Sequence, residues 1–404
     1  MNIDKKFPSI PDIERAALPR LPKFVKDYLV HGIGFDVNVR KNRESLDKVE
    51  LMPKYLSDLD QPDYTCTLFG KTYDAPFGVA PVGLGGLIWP KAEMHLSRAA
   101  AAHNIPYILS TVATITLEHA RDLAGEHAWF QLYTPRDLDV RNDILDRCTN
   151  AGYETLVVTV DVPYGTRRAH DIRNGLSVPP SFGPGNLWQM MTHPGWALRM
   201  LAAGIPKFVN LAPYYDADTL KRRRNEIQRS VHFIKNRLGV HITREVMGGI
   251  RERWKGNLVV KGVLDPEEAA AYVDAGADGV VVSNHGGRQL DAAPSAVTVL
   301  PTIREAVGPD IPLIADGGIR SGLDIARMLA LGADFVIMGR PFMYGLGALS
   351  HQGPDHVMNL FKAELLSTMG QLGSRSISDL PDFLITEPPR PGPSQLHEER
   401  RAAD

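Results

Sequence analysis

The chain has 404 residues, 44% of them hydrophobic and 23% charged, with a formal net charge of −2. That balance belongs to a folded globular protein; it excludes a disordered or fibrous chain and offers no general attraction for nucleic acid. Cys66 and Cys148 are the only cysteines, too few and without the spacing of a disulfide framework or zinc site, which fits a reducing, cytoplasmic setting.

Charges interrupt residues 1–20, so the start does not read as a signal peptide, and no run of about 20 apolar residues spans a membrane. The first 70 residues form an extension, with a helix predicted over residues 23–30. Eight short apolar runs rich in Val and Ile then follow, at 77–81, 107–110, 129–133, 155–161, 258–262, 279–283, 312–316 and 335–339. Between them lie Ala- and Leu-rich stretches such as 91–103, 266–275 and 322–331, whose apolar positions recur at helical spacing. This alternation predicts an α/β fold, a closed (β/α)₈ TIM barrel occupying residues 1–386 as one domain, with an open doubly wound sheet as the alternative.

Between the fourth and fifth runs lies an insertion, residues 175–256, far longer than an ordinary connection, which reads as a lid or docking surface. Its apolar stretches 188–191 and 196–203 contain or adjoin His193, Arg199 and Lys207, and Lys221-Arg222-Arg223-Arg224 follows. The basic run reads as a solvated helix face or, beside exposed Trp and Met, as a membrane-surface or subunit contact. Residues 387–404 read as a flexible tail.

Residues with an evident chemical use cluster at the ends of these runs. Gly279-Val280-Val281-Val282 opens into Ser283-Asn284-His285-Gly286-Gly287-Arg288-Gln289-Leu290-Asp291. A base with a cation three residues later, where a buried strand becomes a loop, suits chemistry on a small carboxylate; a structural histidine is the plainer alternative. The last two runs end in Asp316-Gly317-Gly318-Ile319-Arg320 and Gly339-Arg340-Pro341. Glycines there expose backbone N–H groups and arginines add charge, which makes a phosphate cradle for a cofactor with one terminal phosphate, such as FMN. Lys261, alone in an apolar run, needs a partner, either a reduced flavin ring or a core carboxylate. Ser110, Gln131 and Thr159 end three other runs and could supply hydrogen bonds to a flavin ring edge.

Together these stretches resemble the FMN-dependent 2-hydroxy-acid oxidising family, which includes glycolate oxidase, lactate and mandelate dehydrogenases and lactate monooxygenase. The resemblance spans about residues 10–385. It rests on Leu21-Pro22-Lys23 with Asp27-Tyr28, Ala80-Pro81, Phe130-Gln131-Leu132-Tyr133, Thr159-Val160-Asp161, Arg168 with Asp171, Lys261-Gly262, the 283–291 stretch, Asp316-Gly317-Gly318 and Gly339-Arg340-Pro341. It implies that Pro81, Val82, Gly83, Ser110, Gln131, Thr159, Lys261, Ser283, Asp316, Arg320, Gly339 and Arg340 touch FMN, with Gly317 and Gly318 in the cradle. It implies that Tyr28, Tyr133, Arg168, His285 and Arg288 meet the substrate, that Asp161 orients His285, and that the protein is a homo-oligomer, a tetramer. No metal is expected.

Two positions depart from the glycolate-oxidase pattern. Gly83 stands where the simple oxidases have alanine, and so resembles the membrane-linked dehydrogenases and lactate monooxygenases. Val112 replaces a bulky aromatic, which implies room for a larger substrate side chain. The expected activity is oxidation of an L-2-hydroxy acid to the 2-oxo acid, with His285 as base and Arg168 and Arg288 on the carboxylate. Electrons would pass to a quinone or another acceptor, with peripheral contact at the inner face of the membrane. The alternatives are an oxidase that forms hydrogen peroxide, a TIM-barrel isomerase, and a non-catalytic FMN-binding protein.

Overall fold

β-branched side chains pack well on a pleated surface, and runs apolar on every residue must be covered on both faces. All eight runs form strands in the computed structural model, which describes residues 2–385 apart from 57, 59, 177–182, 205, 216–228, 230–232 and 235–236. The predicted tail and the basic run Lys221-Arg222-Arg223-Arg224 lie outside the described residues.

A short antiparallel hairpin, β1 (Cys66–Leu68) and β2 (Lys71–Tyr73), precedes the barrel and was not anticipated from the sequence. The barrel strands are β3 (Phe77–Val79), β4 (Tyr107–Ser110), β5 (Ala128–Leu132), β6 (Thr155–Thr159), β7 (Asn257–Val263), β8 (Gly279–Val282), β9 (Leu313–Ala315) and β10 (Phe335–Met338). All pair in parallel, in the order β10-β3-β4-β5-β6-β7-β8-β9. Pairing of β10 with β3, Val336 opposite Phe77, closes the sheet, so the barrel forms rather than the open alternative.

Alternate residues serve two cores. Ile108, Trp129, Val157, Val259, Val281, Ile314 and Phe335 cluster inside the barrel, while Leu109, Phe130, Val158, Val260, Val280 and Val336 belong to the larger core shared with the surrounding helices. The hairpin stoppers the N-terminal end. Phe69 and Gly70 both have positive φ (51° and 76°), as a type I′ turn requires. This geometry brings the Phe69 ring to 5.7 Å from Trp129 and Tyr73 to 5.9 Å from Phe335.

The predicted helices appear at Lys23–Val30, Ala92–Ala102, Pro266–Asp274 and Gly322–Ala330. A further helix, Val37–Asp47, buries Asn38, Asn42 and Leu46 against the strand-end loops. In the insertion, Pro184–Thr192 and Pro194–Ala203 are helices, and Arg244–Arg253, with Met247 and Ile250 buried, is the crossover helix that feeds β7. Trp196 turns inward, its indole N–H donating to the Ile88 carbonyl at 3.2 Å. Leu187, Trp188, Met191, Leu198 and Leu201 are exposed. No described helix is long and apolar enough to cross a membrane. Cys66 and Cys148 are buried and unpaired.

Candidate active site

A cavity of about 790 Å³ opens at the C-terminal ends of the barrel strands. Of the predicted site residues, Tyr28, Pro81, Val82, Gly83, Gln131, Tyr133, Thr159, Arg168, Lys261, His285, Arg288, Asp316, Gly317, Gly318, Arg320, Gly339 and Arg340 line it. Ser110, Asp161 and Ser283 stand behind that lining. The Ser110 hydroxyl donates to Gln131 Oε1 at 2.9 Å, and Gln131 Nε2 donates to Thr159 Oγ1 at 2.9 Å. Ser283 Oγ accepts from Lys261 Nζ at 2.7 Å and from the His285 N–H at 3.0 Å. Both serines thus hold lining residues in place.

His285 has φ 57°, and Gly286 and Gly287 follow at 63° and 79°, so three successive left-handed residues lift the loop over the barrel mouth. A non-glycine residue held in that region marks a site where surrounding contacts enforce strain. His285 Nδ1 lies 3.0 and 3.1 Å from the two Asp161 oxygens, and Nε2 lies 3.3 Å from the Tyr133 hydroxyl. Burial pushes the Asp161 carboxyl up, but the His285 and Lys261 charges prevail and hold it below the ordinary carboxylate range. The ionised carboxylate therefore accepts from Nδ1–H and leaves Nε2 facing the cavity. A β-bulge at the end of β7 makes room for Asp161. Gly262 there has φ 106°, and a Cβ on it would sit 2.5 Å from Asp161 Cγ.

Arg288 Nη2 donates to the Tyr28 and Leu29 carbonyls at 2.7 and 3.1 Å, and its Cζ lies 5.2 Å from the Tyr28 ring centre. Burial, and then the nearby charge of Arg168, destabilise its protonated form. Arg168 lies 3.7 Å from Asp171, and its buried Nε has no partner. Two guanidiniums that repel one another beside a histidine, with Asp171 near only one of them, make a place that suits an anion.

The phosphate cradle passes the same kind of test. Arg340 opens the helix Arg340–Leu349, donating through Nε to Leu29 O at 3.0 Å and through Nη1 to Gly286 O at 3.1 Å; Nη2 is buried without a partner. Burial, with Arg288 adding to it, pulls the Arg340 pKa down to about 9. Guanidinium keeps its proton in proteins, so the buried Nη2 without a partner is free to hold an anion. A Cβ on Gly318 (φ 83°) would lie 2.7 Å from Asn42 O. Lys261 Nζ pairs with Asp316 Oδ2 at 2.7 Å, so the core-carboxylate partner is present, while Asp316 Oδ1 is buried without a donor. These residues fit FMN. Arg340 and Arg320 suit the phosphate, Asp316 a ribityl hydroxyl, and Lys261, Gln131 and Thr159 the ring edge.

Sequence reasoning missed the amides that carry the His285 loop. Asn284 Nδ2 donates to Asn38 Oδ1 and Asn42 Oδ1, both at 2.6 Å, and Asn42 Nδ2 donates back at 2.9 Å. It also missed Glu93, fully buried, which accepts from the Gly86 and Thr114 N–H groups and ties the loop after β3 to that after β4. No local pattern marks either group, because the partners meet only in the fold. Phe208, Ile234 and Leu238, from the insertion, add an apolar wall to the cavity.

A (β/α)₈ barrel with glycines and two arginines lining the cavity at its last strands, and a histidine–carboxylate pair beside two more arginines, suits a flavin-dependent oxidoreductase of small carboxylates. Residues 17–387 match the FMN-dependent dehydrogenase family; the chain belongs to it and is an FMN-dependent 2-hydroxy-acid oxidoreductase of the lactate and mandelate type. An L-lactate dehydrogenase of Xanthobacter autotrophicus is 37% identical over 381 residues, covering 94% of this chain and 97% of that one. The crystal structure of a monotopic membrane protein, (S)-mandelate dehydrogenase, is 33% identical with a TM-score of 0.88, covering 94% of this chain and 99% of that one. A mandelate oxidase bound to (S)-4-hydroxymandelic acid is 34% identical with a TM-score of 0.79, covering 93% and 97%.

Proposed function

We propose that the chain oxidises an L-2-hydroxy acid to the 2-oxo acid with His285 as the base, and passes the electrons to a quinone at a membrane surface. The observation that carries the reading is His285 Nε2 turned to the cavity, with ionised Asp161 behind it and an arginine pair beside it. Arg168 and Arg288 grip the substrate carboxylate, and their forks fix its orientation. The Tyr133 hydroxyl, 3.3 Å from Nε2, and that of Tyr28 bond the substrate's polar end. His285 Nε2 takes a proton as the carbon–oxygen bond is oxidised, and Asp161 stabilises the imidazolium that results. FMN supplies the two-electron redox chemistry when bound.

Support for the apolar side of the substrate comes from Val112, Leu176, Phe208, Ile234 and Leu238, which favour a bulky or aromatic side chain. Support for the acceptor comes from Gly83 and from the exposed apolar side chains of helices Pro184–Thr192 and Pro194–Ala203, which suit an interfacial helix pair lying on lipid. The likeness to a mandelate oxidase keeps a peroxide-forming oxidase as the second reading. The homotetramer is proposed from the resemblance to the 2-hydroxy-acid oxidising family alone.

The test is His285→Gln. The variant should keep its FMN, because the phosphate contacts lie elsewhere, and lose about 10²- to 10⁴-fold or more in anaerobic flavin reduction. Near-normal reduction would remove His285 from the role of base. Turnover of the wild type with a quinone analogue against oxygen, with peroxide measured, separates dehydrogenase from oxidase.

A further inference from the structure

At the rim of the site, Asp27, His31 and His170 bring three ligand atoms within 4.8 Å of one another. Asp27 belongs to the helix Lys23–Val30, which His31 caps, and His170 to the short helix Ala169–Arg173. Asp27 Oδ1 lies 4.0 Å from His31 Nε2, and Oδ2 lies 4.0 Å from His170 Nδ1. Ligands bound to one zinc ion at about 2.0–2.2 Å stand roughly 3.3–3.6 Å apart at the tetrahedral angle. Closing this set therefore takes a contraction of up to about 1.5 Å. The imidazoles lie parallel, centres 3.8 Å apart and 3° between planes, so His170 must also turn about its terminal torsion, which is broad and soft.

A further observation points to an ion. His31 Nδ1 is bonded to Asp36 Oδ2 at 2.5 Å, and Asp36 Oδ1 accepts from the Gly32 N–H at 2.7 Å. A carboxylate on the far nitrogen fixes the tautomer and frees Nε2 as a ligand, the arrangement that accompanies histidines bound to metals. Asp27 Oδ2 accepts from Lys23 Nζ and from Asn174 Nδ2, the latter at 2.8 Å, so the ion would take the place of the Lys23 ammonium on this carboxylate. His31 and His170 are each partly exposed, so an ion can arrive from solvent.

We propose that Asp27, His31 and His170 form a binding site for a divalent transition ion of the zinc class, with a fourth position left to water. Imidazole with one carboxylate suits this class better than it suits calcium or magnesium, which take oxygen ligands. The ion clamps the helix Lys23–Val30 to Ala169–Arg173. Tyr28 follows Asp27, and Arg168 and Asp171 flank His170, so the clamp steadies the substrate end of the cavity. That consequence rests on the function proposed above; the binding of the ion does not.

The test uses the FMN-loaded protein, stripped with a chelator and dialysed against zinc chloride, with zinc and flavin measured per chain. Wild type should hold one zinc per chain, with two imidazoles in its X-ray absorption spectrum. His31→Ala and His170→Ala should bind at least about tenfold more weakly, with unchanged flavin content, while His193→Ala binds as wild type. Substoichiometric zinc in wild type, or full affinity in His170→Ala, overturns the site and leaves the imidazoles as a metal-free stacked pair. Zinc should also change KM for the 2-hydroxy acid in wild type and leave it unchanged in His170→Ala. An unchanged KM in zinc-loaded wild type overturns the coupling to the substrate end, whatever the zinc content.

Discussion

Replacing Gly262 with alanine should disable the acid–base pair without touching substrate or cofactor directly. The backbone there has φ 106°, and the added Cβ would lie 2.5 Å from Asp161 Cγ and 2.6 Å from its Cβ. Carbon atoms in contact settle at about 3.5 Å or more, so Asp161 must move by roughly 1 Å. Its bonds to His285 Nδ1 measure 3.0 and 3.1 Å, and a displacement of that size breaks or misaligns both. The backbone strain adds about 1–3 kcal/mol of destabilisation. Imidazole then loses its fixed tautomer, and flavin reduction by substrate should slow about 10²- to 10⁴-fold, while FMN content stays near one per chain. Anaerobic stopped-flow reduction, with flavin content and thermal midpoint measured in parallel, reads both effects. A folded variant that reduces its flavin within about twofold of wild type would refute the proposed dependence of His285 on Asp161.

The other predictions test separate parts of the account. Arg340→Ala should release FMN on dialysis, because the buried guanidinium whose Nη2 lacks a partner is the cradle's main cation; retention equal to wild type would misplace the phosphate. Gly83→Ala places a Cβ 2.7 Å from Val112 Cγ2 and 3.8 Å from the Tyr28 hydroxyl, so it should raise KM for bulky substrates, and Val112→Ala in the same chain should restore it. Asp324, whose carboxyl accepts from the Arg320 N–H at 2.8 Å, is held below the ordinary range by Arg43, Arg320 and Arg327 despite its burial. The stability it contributes is fully present above the unfolded carboxylate value of about 3.9 and is lost as pH falls through the lowered folded value. Asp324→Asn should thus cost about 3 kcal/mol at neutral pH, with the gap narrowing in acid. Urea titrations at both pH values would contradict this if the gap stayed constant.

The barrel was legible because its eight strands carry a local sign, short Val- and Ile-rich runs separated by helical spacing, and the main site residues followed because barrels present them at strand ends. Gly279-Val280-Val281-Val282 before His285 shows both at once. Less was legible where structure depends on distant partners. The hairpin strands β1 and β2 mix Thr67, Lys71 and Thr72 with Cys66, Leu68 and Tyr73, so no continuous apolar run marks them. Asn38 and Asn42 matter only because Asn284, more than 240 residues later, comes to lie against them. Ser110 and Ser283 were expected at strand ends, but their hydrogen bonds to Gln131, Lys261 and the His285 N–H carry no sign in the sequence. In the insertion, composition grouped Trp188 with Trp196, but the first is exposed and the second is buried against Phe24 and Ile88.

The most direct measurement of the central claim is anaerobic mixing of the FMN-loaded wild type with a panel of L-2-hydroxy acids, aliphatic and aromatic. The account predicts that the visible flavin band bleaches, that one 2-oxo acid forms per flavin, and that larger apolar side chains react at least as well as glycolate. A flavin that stays oxidised with every L-2-hydroxy acid tested would contradict it.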